Sequence, residues 1–169
     1  MMNAPIIYNE RVMSKKTELL FIALTLLFLL LFIWRVMAGS LNLLAGIFLF
    51  CFCFFLFYSI NYRTLIIRLT SEVLKLSFGI FTWTIPLSNI RQCQLDDDLP
   101  VLMKYGGAGI HFMFVRKRYR VSFNYLEHSR IVIRLKRKAG LVRDISFSTC
   151  HPNELRQLIQ TAITTDQTA

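Results

Sequence analysis

Charge is missing from two long stretches near the start of this chain. Leu19 to Trp34 runs sixteen residues without a charged side chain, and Leu41 to Ile60 runs twenty more. Only Ala38-Gly39-Ser40 and a few neighbours separate them. A polar stripe is missing as well. Phe, Leu and Ile cover every helical face of both runs, which excludes the amphipathic core helix of a soluble domain. No small-x-small cleavage pattern follows the first run, so a cleaved leader is not expected. Asp, Glu, Lys and His are absent within both runs. Such residues mark ion and proton pathways, and their absence argues against a pump or transporter built by this chain alone. A haem held between these helices would need His or Met ligands, and neither run contains a His, so no cofactor is expected there.

Cysteine is sparse, with four in the chain. Cys51 and Cys53 lie inside the second apolar run, where Cys acts as a small packing residue. Cys93 and Cys150 stand alone in the later segment, which excludes a disulfide framework. Metal and catalytic signatures are also lacking. His111, His128 and His151 are far apart, and neither Gly-x-Ser-x-Gly nor His-Glu-x-x-His occurs. The chain is therefore read as non-enzymatic, with no cofactor and no metal.

A bilayer core of about 30 Å is crossed by roughly 20 apolar residues in a helix. The second run meets that length directly. The first does so if it continues through Arg35 to about Ala38, with the Arg side chain reaching back to the surface. The reading is a transmembrane helical hairpin over 19–60, with helices at about 19–38 and 41–60. An arm of residues 1–18 precedes it and a polar domain of residues 61–169 follows. So short a loop demands an antiparallel pair, with both chain ends on one side. Arg11, Lys15 and Lys16 precede the first helix, and Arg63 and Arg68 follow the second. The positive-inside rule then predicts a multi-pass protein of the inner or plasma membrane with both termini cytoplasmic. Trp34 at one end, and Tyr58 and Tyr62 at the other, suit interfacial belts.

The remaining 109 residues suit one small domain with its own core. They carry sixteen Lys and Arg against eight Asp and Glu. Val73–Phe78 and Phe81–Ile85 alternate apolar and polar residues around a Phe78-Gly79-Ile80 turn. Tyr119–Tyr125 and Ile131–Lys136 alternate too. Lys138-Ala139-Gly140 makes a turn before a last strand, Val142–Ser148. Period-two alternation predicts half-buried strands, and their spacing predicts an antiparallel barrel or sandwich. Leu155, Leu158, Ile159, Ala162 and Ile163 then fall at helical spacing behind Pro152 and Glu154, predicting an amphipathic helix over about 152–164.

About seven short strands capped by one terminal helix resemble the pleckstrin-homology-like (PH-like) fold. The stretches Leu69-Thr70-Ser71-Glu72-Val73-Leu74 and Phe78-Gly79-Ile80-Phe81-Thr82-Trp83-Thr84-Ile85-Pro86-Leu87-Ser88-Asn89-Ile90 narrow the likeness. So does the ending from Ser146 to Leu158. They resemble small bacterial membrane proteins in which a two-helix hairpin precedes a PH domain. The likeness implies a fold, not a chemistry. Phosphoinositide-binding PH domains use a basic first loop. The corresponding loop here, Thr70-Ser71-Glu72, is short and acidic, so inositide specificity by that route is not implied.

The candidate binding surface is basic. Arg116, Lys117, Arg118 and Arg120 form one cluster, and Arg134, Lys136, Arg137 and Lys138 a second. Together they offer a face to anionic lipid headgroups or to a protein partner, including another membrane protein. Nucleic acid is not the expected partner, because no recognised motif accompanies the charge. Asp96-Asp97-Asp98 lacks the spacing of a calcium loop and is read as solvated. Gly106-Gly107-Ala108-Gly109 lacks the Lys-Ser/Thr of a phosphate loop. The expected function is a membrane-anchored scaffold or interaction protein. The alternative is a subunit or assembly factor of a larger membrane enzyme or transporter.

Overall fold

The computed structural model describes residues 5–39, 42–96, 109–115, 117–125 and 127–168. Two long helices come near the start. Helix α1 spans Lys15–Met37 and α2 spans Leu43–Asn61. Both are long and apolar enough to cross a membrane. Each starts at a side-chain cap, as Ser14 Oγ accepts from the Thr17 N–H and Asn42 Oδ1 from that of Ala45. The helices pack on each other through aromatic rings, with Phe28 stacked on Phe55 at 5.4 Å. The Thr25 and Ser59 hydroxyls meet at 3.2 Å across the pair. Their outer faces remain apolar and open: Leu30 is 64% exposed and Phe50 69%.

The rest of the described chain is two sheets and a terminal helix. The first sheet is an antiparallel meander of β1 (Ile6–Val12), β2 (Leu65–Thr70), β3 (Val73–Phe78) and β4 (Phe81–Pro86). Thr70 shapes the β2–β3 turn, its Oγ1 accepting from the Glu72 and Val73 N–H groups. After one 3-10 turn at Leu87–Asn89 come β5 (Ile90–Leu95), β6 (Gly109–Val115), β7 (Arg118–Asn124), β8 (Ser129–Ala139) and β9 (Val142–Thr149). These form a second sheet in the order β5-β8-β9-β7-β6. Helix α3 spans Pro152–Thr168.

One apolar core lies between the sheets. Leu65, Ile67, Leu69, Leu74, Leu76 and Phe78 enter it from the first sheet, and Phe123, Ile131, Ile133, Ile145 and Phe147 from the second. Helix α3 closes it with Leu155, Ile159 and Ile163, packed on β5 and the 3-10 turn. Leu158, expected within that stripe, is only partly buried. Gln160 Nε2 fixes the seat by donating to the Cys93 carbonyl at 3.3 Å.

The structure refines these expectations. Nine strands are described where about seven were expected, and of the barrel or sandwich expected, neither sheet is closed. The second sheet is not wholly antiparallel, because β9 lies between β8 and β7 and runs parallel to β7. Both of its faces are buried, and Ser146 and Ser148 are fully buried on the side away from the core. The expected arm of residues 1–18 holds a strand. Ile6–Val12 pairs along β2, so the first strand of the β-domain precedes the hairpin.

Polar contacts lock this inserted hairpin to its host. The Glu10 carboxylate accepts from the Thr149 hydroxyl at 2.6 Å, the Cys150 N–H at 2.7 Å and the Tyr8 hydroxyl at 2.9 Å. Burial, and Glu10 beside it, hold the Tyr8 phenol well above its ordinary pKa. The Glu127 carboxylate accepts the Lys16 N–H at 2.7 Å, on the positive end of α1. Arg63 pairs with Glu18. Gly79, in the β3–β4 turn, lies against the end of α2 at positive φ, and a Cβ there would sit 2.1 Å from the Asn61 carbonyl oxygen.

Candidate functional site

The ends of the strands define two poles. Val12, Leu65, Phe78, Gly109, Asn124 and Ser129 lie at the hairpin foot, as their neighbours' contacts with Met13, Lys16, Asn61 and Tyr58 require. The other ends, where β7 begins, β8 finishes and β9 begins, lie away from the foot. Strands rise about 3.3 Å per residue, so Arg134 lies roughly 17 Å along β8 from Ser129 and Lys138 roughly 30 Å.

At that far pole a cavity of about 210 Å³ is lined by Arg91, Gln92, Arg118, Arg134, Leu135, Lys136, Arg143 and Asp144. Register explains the gathering. Arg134 pairs with Gln92 on one side and Asp144 on the other, while Arg120 pairs with Asp144 across β7. Five cations thus surround one carboxylate, and Asp144 is only 4% exposed. Asp144 Oδ1 has no hydrogen-bond partner, and Arg134 Nη1 reaches Gln92 Oε1 at 3.5 Å. Like charges this close repel one another, so the basin favours an anion that spreads its charge over several of them.

Of the two basic clusters read from sequence, Arg118, Arg134 and Lys136 line this cavity. Lys136 also borders a second, open depression with Arg137, Pro86, Ser88 and Asn89. There Asn89 makes reciprocal bonds with the Arg137 backbone, accepting its N–H at 2.8 Å and donating to its carbonyl at 3.2 Å. Lys117 and Lys138 are exposed at the neighbouring turns, Lys117 at φ 63°. Arg116 lies outside the described residues.

Arg120 does not belong to the basic face. It is 6% exposed, and its Nη1 donates to Asp96 Oδ1 at 2.9 Å. Asp96 is itself buried, so it is not part of a solvated acidic loop. Arg130 lies beside the pair, and its burial lowers the guanidinium pKa. Asp97, Asp98 and residues 106–108 lie outside the described residues. Arg91 and Arg143 join the basin although neither belongs to a basic run in the sequence. Alternation in Val142-Arg143-Asp144 is the available signal, and it marks a strand without saying which strand faces it.

A second cavity, about 470 Å³, opens at the foot. It is lined by Tyr58, Tyr62, Phe81, Thr82, Trp83, Ile110, Phe112, Val121 and Phe123. The edge strand β4 of one sheet and the edge strand β6 of the other form its sides. Gly109 opens its base. At φ +90°, a Cβ there would meet the Tyr58 ring at 3.1 Å.

Desolvation pushes the buried Cys93 thiol up to about 12. Cys150 Sγ lies 3.8 Å from His128 Nδ1, but burial and Glu10 raise its pKa, opposite to activation. Among the described residues no three His, Cys, Asp or Glu side chains are placed to hold a metal. No family model matches the chain, and neither a curated protein nor a solved structure matches it.

Proposed function

We propose that this protein is a non-enzymatic membrane-anchored scaffold. Its hairpin crosses the inner or plasma membrane, and its PH-like domain stands in the cytoplasm with both termini. The observation that carries this reading is the far-pole basin, where Arg91, Arg118, Arg134, Lys136 and Arg143 converge. Attraction between exposed charges fades over a Debye length of about 8 Å at physiological salt. A basin some 17–30 Å along the strands from the foot gains little from its own bilayer's headgroups. The partner favoured is therefore an acidic segment of another protein, met away from the membrane.

The test uses the full chain in nanodiscs of neutral lipid, with a fluorescent poly-glutamate peptide as probe. Binding should weaken steeply as salt rises, and Lys136→Gln with Arg143→Gln should reduce it about tenfold or more. Each lost charge-assisted contact is worth roughly 1.5–3 kcal/mol at best and less where exposed. Binding that ignores both salt and the substitutions would sink the scaffold reading. Preference for phosphatidylserine nanodiscs over the peptide would return the basin to lipid.

A second reading makes the chain a subunit or assembly factor of a larger membrane complex. Phe50, Phe54 and Phe57 favour it, forming a ridge at helical spacing left open on α2. Replacing the hairpin with unrelated apolar helices should then abolish association, whereas a bare anchor tolerates the exchange.

A further inference from the structure

We infer that the cavity at the hairpin foot is an acyl-chain site, which takes one hydrocarbon tail of a membrane lipid out of the bilayer and into the β-domain. Such a site rests on the hairpin being in the bilayer. The walls carry no charged side chain; their polar side-chain groups are the Tyr58 and Tyr62 hydroxyls and the Trp83 indole N–H, while the Thr82 hydroxyl donates to Ser77 Oγ at 3.1 Å on the opposite face of β4. At about 470 Å³ the space is in the range of small-molecule sites.

Its position selects the occupant. Tyr58 lies in the last turn of α2 and Tyr62 caps it, so the lining begins on the apolar helix itself. From there it steps outward along two edge strands, Phe81 then Trp83 on β4, and Ile110 then Phe112 on β6. At the inner end Phe123 and Val121, core residues, form the back wall. The surface therefore runs from the hairpin to the core with no charged group and mostly apolar side chains along it. The apolar phase in contact with that path is the hydrocarbon of the bilayer. A tail moving along it exchanges one apolar surround for another and loses little hydration free energy. It also supplies the contacts that an empty apolar space lacks. Phe112, 71% exposed, and Phe81, 51% exposed, form an apolar rim that such a tail would cover.

The chain has two tryptophans, one in the hairpin and one in the cavity, which makes the site readable. Full-length Trp34→Phe and Trp83→Phe proteins are reconstituted in vesicles of lipid brominated on the acyl chain, either near the headgroup or near mid-chain. Trp83 should lose the larger part of its emission to bromine and little to aqueous acrylamide. Ile110→Phe, which enlarges a half-buried side chain on the cavity wall, should restore that emission, and so should Phe112→Lys. Quenching of Trp83 that survives both substitutions would come from the bilayer surface and would overturn the site. Acrylamide quenching without bromine quenching would mean water in the cavity and overturn it equally. Absence of both would mean that protein covers Trp83, and the site would fall on that result too. Trp34 separates the two readings: if bromine at neither depth quenches it, the hairpin reading fails and the acyl-chain site with it. A quenched Trp34 beside an unquenched Trp83 overturns the acyl-chain site alone.

Discussion

The foot and the far pole of the β-domain are made of opposite materials. At the foot, the rings of Tyr58, Tyr62 and Phe78 pack in a row at tilted angles, Gly79 lets the β3–β4 turn press on Asn61, and Glu127 caps α1. At the far pole, five cations surround one buried carboxylate in a space of about 210 Å³. One end is built from contacts that fix position. The other gathers charges that repel one another. The contrast teaches that net charge alone does not tell which end of a basic domain carries it. Strand length and direction decide which end of the domain the charge occupies.

The contrast breaks most severely if the foot is dispensable. Deleting residues 1–14 removes β1, and with it the buried Val12 and the Glu10 contacts to Thr149 and Cys150. The detergent-solubilised protein should then show no cooperative melt by circular dichroism. Asp96→Ala comes next. It leaves Arg120 buried without its partner and should cost about 3–5 kcal/mol in chemical denaturation. Gly79→Ala sets a Cβ against the Asn61 carbonyl in a left-handed residue and should cost about 2–4 kcal/mol.

A gentler test is pH. His111, one residue from Ile110 of the foot cavity, has a lowered pKa, chiefly from burial and then from Arg130. The unfolded chain therefore takes up this proton first. The stability contribution is complete above about pH 6.5 and falls as the pH drops below it. His111→Gln should flatten the slope of unfolding free energy between roughly pH 7.5 and 5.5. The smallest effect belongs to the far pole. Lys136→Gln with Arg143→Gln should leave stability within about 0.5 kcal/mol while weakening poly-glutamate binding. A large stability loss there would erase the distinction between the two ends.

Local alternation carries much of this architecture. Val73–Phe78, Phe81–Pro86 and β7 to β9 follow from period two, and α3 from its helical stripe. Strand β1 escapes such a reading because Ile6–Val12 looks like a short polar lead into an apolar run, and its partner β2 comes after the hairpin. Strand β6 escapes because Gly109–Val115 is nearly continuous in apolar residues and hides its period. In the candidate basin, dense basic runs announce Arg118, Arg134 and Lys136. The first of those runs also misassigns Arg120, since alternation gives the side of a strand but not the cover over it. Arg91 and Arg143 join only through the β5-β8-β9 register, which is long-range information.

The position of β1 has a consequence for how the chain is made. The domain's first strand emerges from the ribosome before the hairpin, yet its last contacts are with Thr149 and Cys150, about 140 residues later. Chains are synthesised at roughly 5–20 residues per second, so that strand waits several seconds or more for its full set of partners. During this interval both helices have already left the ribosome. With the hairpin in a bilayer, membrane insertion therefore precedes closure of the domain. The order of birth makes the hairpin a tether that holds β1 and β2 side by side while the rest of the sandwich arrives.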